Sequence, residues 1–412
     1  RTGNNKVFYL RDNLLINWSG RAVADDNIHV LDPFTGTGTF INRLLQSDLI
    51  PRDRLTYKYK NIPFKYVLNK KLLTALLMFC CSNHLYAAPN PVSACNGTSL
   101  EARFDSGVAW SMCVSLEQNA GLVIQQLKLT SLNFERRVLG QASLAQLETV
   151  FDDNKGSPSF AVTRDGLGAD KLVTLTSNDC PNGKLYPDPT GRNVVCTRYQ
   201  ADELLYKYAY QAYRQTSYFE VFSISQGTSL QTYTQRWRFY ENGVIEPALG
   251  FSGKLPRFAN AELGFGRAVK DNNQWALGFS SYLGWRLDFD LGKDPNNDIV
   301  EEITSTASPS RRQKYLNTEV LQQETARNLN PELKTSWRIK DGDETNSDGR
   351  TISYEIFPSN YYQSVGNFRG RPWLSKDIYF THYQTCEQYA SDNKPTGACA
   401  RNALQYTENK EI

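Results

Sequence analysis

Short runs of alternating apolar and polar residues recur from about residue 95 to the end of the chain. Trp237 to Phe239 and Arg286 to Leu291 are two of these runs, and turn-forming residues separate them. An alternation of this kind places one face of a strand in a core, and Asn242 with Gly243 tolerates the positive φ of a tight hairpin turn. The pattern predicts a mainly β fold. Helical spacing is best at 201–210 and 319–328.

The first 61 residues follow a different pattern. The apolar run 28–31 predicts a buried parallel strand, and apolar spacing over 40–45 predicts a helix. Asp32, Gly36 and Gly38 lie between them, where glycines let the backbone approach a ligand and the helix N-terminus supplies free N–H groups. This stretch resembles the S-adenosylmethionine-binding motif of DNA adenine methylases.

The likeness to a methylase stops near Asn61. Those enzymes also need an Asn/Asp-Pro-Pro-Tyr/Phe motif, which this chain lacks. We therefore expect residues 1–61 to be a short α/β methylase-like remnant in which Asp32, Gly36 and Gly38 are the cofactor-binding positions. We do not expect it to methylate.

Residues 62–88 have the organisation of a secretion signal. Lys70 and Lys71 precede the apolar stretch 72–81, and small residues follow at Ala87 and Ala88. The stretch is too short to span a bilayer comfortably, so we expect no stable membrane insertion. An ordinary buried helix is the alternative. A signal used here makes the protein secreted or periplasmic, and its internal position suggests a gene fusion or read-through from an upstream remnant.

The cysteines agree with export. Removal of the signal-like segment, which holds two of the eight cysteines, leaves six, an even number. Six cysteines permit fifteen pairings, of which sequential pairing is the simplest. Reduced buried cysteines in a cytosolic chain are the alternative.

Composition and charge narrow the function classes. The chain is 40% hydrophobic and 22% charged, which is ordinary for a globular protein and excludes disorder and a multi-span membrane protein. A net charge of +3 gives no reason to expect nucleic acid as a partner of the main region. Only His29, His84 and His382 occur, and that scarcity limits metal chemistry.

One set of stretches runs in order through the β-rich region. They are Asn119 to Val123 with Val138 to Ala145, Phe160 with Gly166 to Gly168, Cys180 to Gly183 with Cys196, Trp237 to Glu246, Trp285 to Asp290, Trp337 to Ile339 with Gly349, Tyr354 and Pro358, and Lys376 to Tyr383 with Glu387, Tyr389 and Ala390. Together they resemble the catalytic domain of the copper-containing amine oxidases.

The resemblance implies a large antiparallel β-sandwich of the amine oxidase supersandwich type at 89–412, incomplete at its C-terminus. It also implies a homodimer and a disulfide between Cys180 and Cys196. Enzymes of this family oxidise primary amines with copper and topaquinone, a quinone made from a tyrosine. The residues at the corresponding positions decide whether this chain can do the same.

The resemblance places the quinone tyrosine at Gln231, and an amide cannot be oxidised to a quinone. A shifted register would make Tyr218 or Tyr233 the precursor. The proton-abstracting aspartate of the family falls on Ala161, whose methyl group accepts no proton. Both organic functions of the family's site are therefore expected to be missing.

The copper ligands are expected to be missing as well. The family holds copper on a His-x-His pair in a strand, where alternation directs both imidazoles to one face. The resemblance places this pair at Phe279 and Ser281, neither of which binds copper. After removal of the signal-like segment only His382 is left, and one histidine cannot supply a copper cage.

A calcium site is the family feature that the chain could retain. Asp288 and Asp290 alternate on one predicted strand and resemble the peripheral calcium site of these enzymes, where carboxylates and a carbonyl supply hard oxygen ligands. An exposed acidic strand face is the alternative. A second acidic group is expected to form a solvated turn rather than a metal loop; it comprises Asp341, Asp343, Glu344 and Asp348.

The sequence therefore predicts an exported, catalytically inactive amine oxidase homologue that serves as a binding or structural module, with a small amine or another ligand as partner. Two alternatives belong to other classes. One is an active primary amine oxidase that uses copper and topaquinone, and the other is a fragment of an S-adenosylmethionine-dependent DNA methylase.

Overall fold

A computed structural model describes most of the chain beyond residue 94 and short strands before it. The described residues are 6–10, 14–18, 28–29, 55–56, 95–131, 134–151, 158–208, 212–227, 231–253, 257–259, 267–269, 274–307, 314–346, 349–357, 371–391 and 400–407.

The strands near the N-terminus form two small pairs. Lys6–Leu10 (β1) pairs antiparallel with Leu14–Trp18 (β2). Ile28–His29 (β3) pairs in parallel with Leu55–Thr56 (β4), which agrees with the parallel strand expected at 28–31. The positions Asp32, Gly36 and Gly38 and the segment 62–88 lie outside the described residues, so the methylase-like motif and the secretion signal stay predictions.

The first large sheet has six antiparallel strands in the order β18-β8-β7-β6-β5, with β9 also paired to β8. The strands are Thr98–Arg103 (β5), Ala109–Glu117 (β6), Gly121–Ser131 (β7), Phe134–Phe151 (β8), Phe160–Ala161 (β9) and Phe279–Gly292 (β18).

The second large sheet has five antiparallel strands in the order β10-β11-β12-β13-β14. The strands are Lys184–Pro187 (β10), Asn193–Tyr208 (β11), Ala212–Gln226 (β12), Gln231–Tyr240 (β13) and Ile245–Gly253 (β14).

Three smaller sheets complete the architecture, with strand orders β20-β19-β22-β23, β15-β17-β16 and β21-β24. The strands are Arg257–Ala259 (β15), Arg267–Val269 (β16), Gln274–Ala276 (β17), Ile299–Ala307 (β19), Lys314–Leu321 (β20), Thr325–Arg327 (β21), Ser336–Thr345 (β22), Thr351–Ile356 (β23) and Ile378–Phe380 (β24). The described helices are short: Val162–Asp165 (α1), Ala403–Tyr406 (α2) and the 3₁₀ turns Ala169–Lys171 and Pro372–Ser375.

One hydrophobic core joins the three largest sheets. It contains Trp110 of β6, Trp237 of β13 and Trp337 of β22, each fully buried. Trp237 also packs edge-on against Trp285 of β18, with ring centroids 5.1 Å apart. Burial of such large side chains between sheets is the main stabilising contribution in a sandwich of this kind.

A buried amide connects the two large sheets. The side chain of Gln235 on β13 accepts a hydrogen bond from the backbone N–H of Leu122 at 2.9 Å and donates one to the carbonyl oxygen of Ala120 at 2.6 Å. Gln235 is 0% exposed. A buried polar group costs free energy unless it is hydrogen-bonded, and here both ends of the amide have partners.

The predicted mainly β fold and the antiparallel sandwich are confirmed, and so is the hairpin at Asn242 and Gly243, where Gly243 has φ 93° between β13 and β14. The two predicted helices are wrong. Residues 201–208 belong to β11, and residues 319–328 contain the end of β20 and all of β21. Pairing with neighbouring strands outweighs a weak helical spacing because β propensity depends on cross-strand partners.

Two disulfides agree with sequential pairing. Cys95 bonds to Cys113 and Cys180 to Cys196, with Cα atoms 5.6 Å and 5.8 Å apart. Cys386 is also disulfide-bonded. The first bridge ties the start of the described domain to β6, and the second joins the loop before β10 to β11.

Candidate functional site

The region that the sequence singled out lies between the two large sheets, at the start of β13. Burial alternates along this strand, so that every second side chain points inward. Gln231 and Tyr233 are the first two inward residues, and each is 1% exposed. Period-two alternation therefore explains why both side chains face the first sheet rather than solvent.

Aromatic rings surround Tyr233. Its ring centroid lies 4.9 Å from that of Phe160 and 5.6 Å from that of Phe251. Its hydroxyl oxygen lies 3.4 Å from Oγ1 of Thr149, within hydrogen-bonding distance. Burial raises the pKa of Tyr233, and the negative charge of Asp165 raises it further against the hydrogen bond to Thr149. The phenol is therefore held protonated at neutral pH.

Phe279 and Ser281 reach the same region from β18. Their backbone partners on β8 are Phe151 and Thr149. The ring centroid of Phe279 lies 5.9 Å from that of Phe151 and 5.2 Å from that of Phe251. Oγ of Ser281 lies 3.0 Å from Oγ1 of Thr149. Phe279 is half-buried and Ser281 is exposed, so stacked rings and a short chain of hydroxyls lie here at the solvent side of the region.

Ala161 lies on β9 beside an aspartate that the sequence analysis missed. The backbone N–H of Ala161 donates to Oδ2 of Asp165 at 2.8 Å, and the guanidinium of Arg164 donates to both carboxylate oxygens. Burial acts to raise the pKa of Asp165, but the hydrogen bonds from Arg164 and Ala161 hold it below its usual value. The four-residue spacing from Ala161 is the only sequence signal that could have indicated this contact.

Gly166 ends helix α1 and makes the close packing of this segment feasible. It has φ 70°, and a Cβ there would lie 2.7 Å from the carbonyl oxygen of Gln118. A residue with a side chain would therefore be strained in conformation and would clash with backbone. Glycine at this position allows α1, and with it Asp165, to lie against the turn between β6 and β7.

Glu148 forms a second polar centre next to Ala161, its partner across the β8–β9 pair. The guanidinium Nε of Arg371 lies 2.7 Å from Oε2 of Glu148, and the amide of Gln146 donates to Oε1 at 2.7 Å. The side chains of Glu148 and Arg371 are 4% and 12% exposed. This buried ion pair fastens the segment 371–391 to β8, and nothing in the sequence pattern indicated it.

Imidazole is scarce near these residues. His382 follows β24 in an exposed position, where its Nδ1 lies 3.2 Å from the carbonyl oxygen of Tyr383. No cluster of three or more histidine, cysteine, aspartate or glutamate side chains within the described ranges is arranged to hold a metal ion. The ring at 279 and the hydroxyl at 281 do not fit copper(II), which prefers imidazole nitrogen in such sites.

Asp288 and Asp290 lie together near the end of β18. Burial raises the pKa of Asp288 to about 6, with Arg286 lowering it and Asp290 raising it. Arg137 lies 3.2 Å from Oδ2 of Asp290 and also donates to the carbonyl oxygen of Gly292. Oδ1 of Asp290 has no hydrogen-bond partner among the described residues. Both residues are half-buried, so an exposed acidic face, the alternative to calcium, describes these carboxylates only in part.

The second acidic group is also more buried than expected. Asp341 is 0% exposed on β22, and its Oδ1 accepts the backbone N–H groups of Asp343 and Glu344. The prediction of a solvated turn is wrong for Asp341, because this residue lies inside β22 and its side chain is fully buried. Asp343 is exposed, and Asp348 lies outside the described residues.

None of the helices in the described part of the chain has the length and apolar character needed to traverse a lipid bilayer.

Known proteins are similar to this chain over its β-rich region. The family model described as "Copper amine oxidase, enzyme domain" matches residues 107–409. Two curated proteins of Arthrobacter sp. (strain P1), a primary amine oxidase and a copper methylamine oxidase, are each 24% identical over 332 residues. The matches cover 70% of this chain and 49% of each relative, so the chain spans about half the length of these relatives.

Solved structures share the fold at lower identity. An amine oxidase from Aspergillus nidulans has a TM-score of 0.60 at 16% identity, covering 92% of this chain and 54% of the other. A copper-containing benzylamine oxidase from Hansenula polymorpha has a TM-score of 0.58 at 17% identity, with 82% and 56% covered. Because the family model matches most of the sequence, this chain belongs to the copper amine oxidase family.

Proposed function

We propose that this chain is a catalytically inactive member of the copper amine oxidase family that serves as a binding or structural module. The observation that carries the proposal is the content of the inter-sheet region. The resemblance assigns the family's quinone and copper positions to Gln231, Phe279 and Ser281, and around the latter two lie aromatic rings and a hydroxyl of Thr149.

Copper chemistry is the first function that these residues do not support. A phenyl ring has no lone pair to donate to a metal, and the serine hydroxyl is already hydrogen-bonded to Thr149. Copper(II) sites in proteins use imidazole, and in other geometries thiolate. We therefore assign no reaction step to a copper ion in this chain.

Formation of a quinone is the second function that these residues do not support. Gln231 has no ring. Tyr233 is the nearest tyrosine, but its phenol is buried, protonated and packed against Phe160 and Phe251. Tyr218 pairs with Tyr240, at the opposite end of the β12–β13 pair from the partners of Gln231. Among the described residues, neither tyrosine has beside it a cluster of three or more side chains arranged to hold a metal ion.

Proton abstraction is the third function that these residues do not support. An efficient general base has a pKa near the working pH. Asp165 is the carboxylate beside Ala161, and its pKa is held low by Arg164 and the backbone N–H of Ala161. A carboxylate with two such partners is a weak proton acceptor at neutral pH.

A direct assay for copper, quinone and amine oxidation tests the proposal that the chain is inactive. Purified protein is incubated with copper(II) in air, dialysed, and measured for bound copper, for quinone by redox-cycling stain and for hydrogen peroxide released with benzylamine. We expect no stoichiometric copper, no stain and no peroxide. Stoichiometric copper together with benzylamine turnover would establish the active oxidase instead.

A gain-of-ligand variant serves as the matched control. Phe279→His combined with Ser281→His places two imidazoles on one face of β18, and we expect this double variant to retain copper after dialysis where the wild type retains none. Phe289→His with Leu291→His, further along the same strand, checks that added imidazoles alone are insufficient. Equal copper retention by the two double variants would contradict the assignment of positions 279 and 281.

We also propose calcium at Asp288 and Asp290. Two half-buried carboxylates with raised pKa values repel each other when ionised, and a bound cation offsets that repulsion. Oxygen ligands from carboxylate and carbonyl are those that calcium prefers. At pH 8, calcium at millimolar concentration should raise the melting temperature by a few degrees. Asp288→Asn should abolish the increase, whereas Asp343→Asn, at an exposed position, should retain it.

We infer export and self-association as parts of the same proposal. Disulfides persist in oxidising compartments, and the Cys95–Cys113 and Cys180–Cys196 bridges support an exported product. Members of this family are generally homodimers, and we expect the same of this chain. N-terminal sequencing of the exported product tests the signal at 62–88, since a product that retains Asp32 would contradict cleavage there.

A further inference from the structure

The outer face of the second large sheet, which points away from the first sheet, holds a group of charged side chains. Every second residue of β13 is half-buried and lies on this face, among them Arg236 and Arg238. Strand pairing places Glu220 of β12 and Glu246 of β14 on either side of Arg238. Because directly opposed residues of paired strands share a face, all four side chains lie on the outer face.

Both glutamates of this face already have partners. Glu220 is 1% exposed, and its carboxylate pairs with the guanidinium of Arg198 at 2.8 Å and with that of Arg238 at 3.2 Å. Glu246 pairs with Arg238 at 3.1 Å and accepts a hydrogen bond from the hydroxyl of Tyr240 at 2.6 Å. Both oxygens of each carboxylate are therefore engaged.

Arg236 is left without a carboxylate. Its Nε is buried and has no hydrogen-bond partner, and no acidic side chain in the described part of the chain forms an ion pair with it. Arg198, Arg236 and Arg238 against Glu220 and Glu246 leave the face with one excess positive charge. Buried N–H groups without a partner are rare in folded proteins, and a bound ion is one of the few explanations for them.

The strand beside Arg236 carries small residues. Ala248 lies directly opposite Arg236, and Gly250 lies opposite Thr234, the preceding residue of β13 on this face. Within the described ranges β14 is the last strand of its sheet. Because these side chains are a methyl group and a hydrogen atom, space is left beside the guanidinium toward the edge of the sheet. Ile224, opposite Thr234 on β12, adds an apolar wall.

The charges and the shape of this place favour one class of ligand. A guanidinium binds a carboxylate through two parallel N–H···O bonds, and Nε is one of the donors that this geometry uses. One excess positive charge suits a monoanion, whereas a dianion such as phosphate would be repelled by Glu246 on the same face. The small side chains of β14 and the apolar Ile224 suit an apolar substituent on the acid.

We propose that Arg236 binds the carboxylate of a small monocarboxylic acid whose apolar part lies over Ala248 and Gly250 at the edge of the second sheet. The hydroxyl of Thr234 donates a further hydrogen bond to the carboxylate. The site lies on the opposite face of β13 from Gln231, so it is separate from the inter-sheet region. It goes beyond the binding role proposed above, because its ligand is an anion rather than an amine.

Calorimetric titration of the full chain at constant ionic strength tests the ligand class. Benzoate is the probe, and benzamide, which has a similar shape without the charge, is its control. We expect benzoate to bind with one-to-one stoichiometry and benzamide to bind at least about tenfold more weakly, because the charge-assisted bidentate pair is lost. Inorganic phosphate should also bind at least about tenfold more weakly. Absence of benzoate binding at tens of millimolar, or equal binding of benzamide or phosphate, would overturn the proposal.

Substitutions locate the site. Arg236→Gln should weaken benzoate binding at least about tenfold. Arg103→Gln should leave it unchanged, because the side chain of Arg103 is 74% exposed and belongs to β5 of the other large sheet. Ala248→Leu fills the space beside the guanidinium and should also weaken benzoate binding while every arginine stays in place. Equal affinities of the two arginine variants would contradict the site, and full affinity of Ala248→Leu would contradict the position of the apolar part.

Thermal unfolding gives an independent readout. Without ligand, Arg236→Gln should melt at or above the wild-type temperature, because the change removes a half-buried cation that has no partner. Saturating benzoate should raise the melting temperature of the wild type but not that of the variant. A large loss of stability in the ligand-free variant would show that Arg236 serves folding instead. These measurements involve neither copper nor quinone, so amine turnover would contradict the proposed inactivity and leave this inference standing.

Discussion

At the scale of single residues, short local hydrogen bonds decide which carboxylates stay ionised. Asp188 accepts hydrogen bonds from the backbone N–H and hydroxyl of Thr190 and from the backbone and guanidinium of Arg192. These bonds lower its pKa to about 2. Asp165 is held in the same way by Arg164 and Ala161. Both carboxylates therefore serve structure, and neither is suited to accept a proton at neutral pH.

The turn at Asp188 gives a prediction with a defined pH window. A carboxyl group whose folded pKa is depressed contributes stability that is present above its unfolded pKa and lost as pH falls through the folded value. Asp188→Asn should lower the free energy of unfolding at pH 7 by about 1 kcal/mol, allowing for solvent screening near the surface. The difference should shrink between about pH 4 and pH 2, as measured by urea titration at each pH.

The exposed Asp170→Asn variant is the control, because the side chain of Asp170 is 86% exposed. It should unfold like the wild type throughout. A penalty for Asp188→Asn that stays constant down to pH 2 would show that its charge is not the stabilising feature.

At the scale of secondary-structure elements, the alternation of apolar and polar residues predicted strands, and the observed strand pairing confirms them. β13 alternates between buried and half-buried side chains along its whole length, and the Asn-Gly turn after it forms the expected hairpin. The helical spacing at 201–210 failed because it ignored partners far along the chain. β11 extends through these residues by pairing with β12, with register shifts between Ala201 and Tyr206.

The site was predictable in part, for a related reason. Family likeness identified Gln231, Phe279 and Ser281 as positions of interest, but it could not indicate that the Ser281 hydroxyl meets Thr149. The β8–β18 register shifts at three places, and each shift moves all later pairs by a residue or more. Contacts across such irregular pairs depend on the folded backbone rather than on sequence spacing.

The connection between β18 and β19 yields a prediction of opposite sign. Burial raises the pKa of Asp298 to about 7, with further increases from Asp341, Asp290 and Asp288. The folded state then binds more protons than the unfolded state between about pH 4 and pH 7, so stability falls as pH rises through this range. Asp298→Asn should remove that loss and stabilise the protein at pH 8 by at least about 1 kcal/mol.

Urea unfolding in EDTA, which removes calcium, measures this effect. The amide oxygen at position 298 can still accept the backbone N–H of Leu291, which Asp298 accepts at 3.1 Å. The advantage of the variant should vanish near pH 4 and level off above pH 7. An advantage that is the same at pH 4 and pH 8 would point to packing rather than charge.

At the scale of the whole molecule, a few long-range contacts hold separate parts of the chain together. The core joins three sheets, and the segment 371–391 returns to the first sheet through the Glu148–Arg371 ion pair and the hydrogen bond from the N–H of Ala390 to the carbonyl oxygen of Ala145. Removing one member of a buried ion pair costs more than removing both, because a charge is left in a low-dielectric place.

Arg371→Leu should therefore destabilise the protein by roughly 3–5 kcal/mol in thermal or urea unfolding. The double variant Glu148→Gln with Arg371→Leu should recover a substantial part of that loss, because no buried charge is then left at this site. Arg103→Leu is the control, since its pair with Glu101 is exposed and should contribute little. Equal losses in the single and double variants would contradict this account.

The Gln235 amide has a consequence for how this architecture tolerates change. Apolar contacts alone do not fix the alignment of two packed sheets, because two apolar faces pack nearly as well when one sheet is shifted by two residues along the other. The Gln235 amide accepts a hydrogen bond from the N–H of Leu122 and donates one to the carbonyl oxygen of Ala120. A shifted alignment of the two sheets would leave these buried polar atoms without partners. A lineage could thus exchange every reactive group in the neighbourhood while its two layers keep the same alignment.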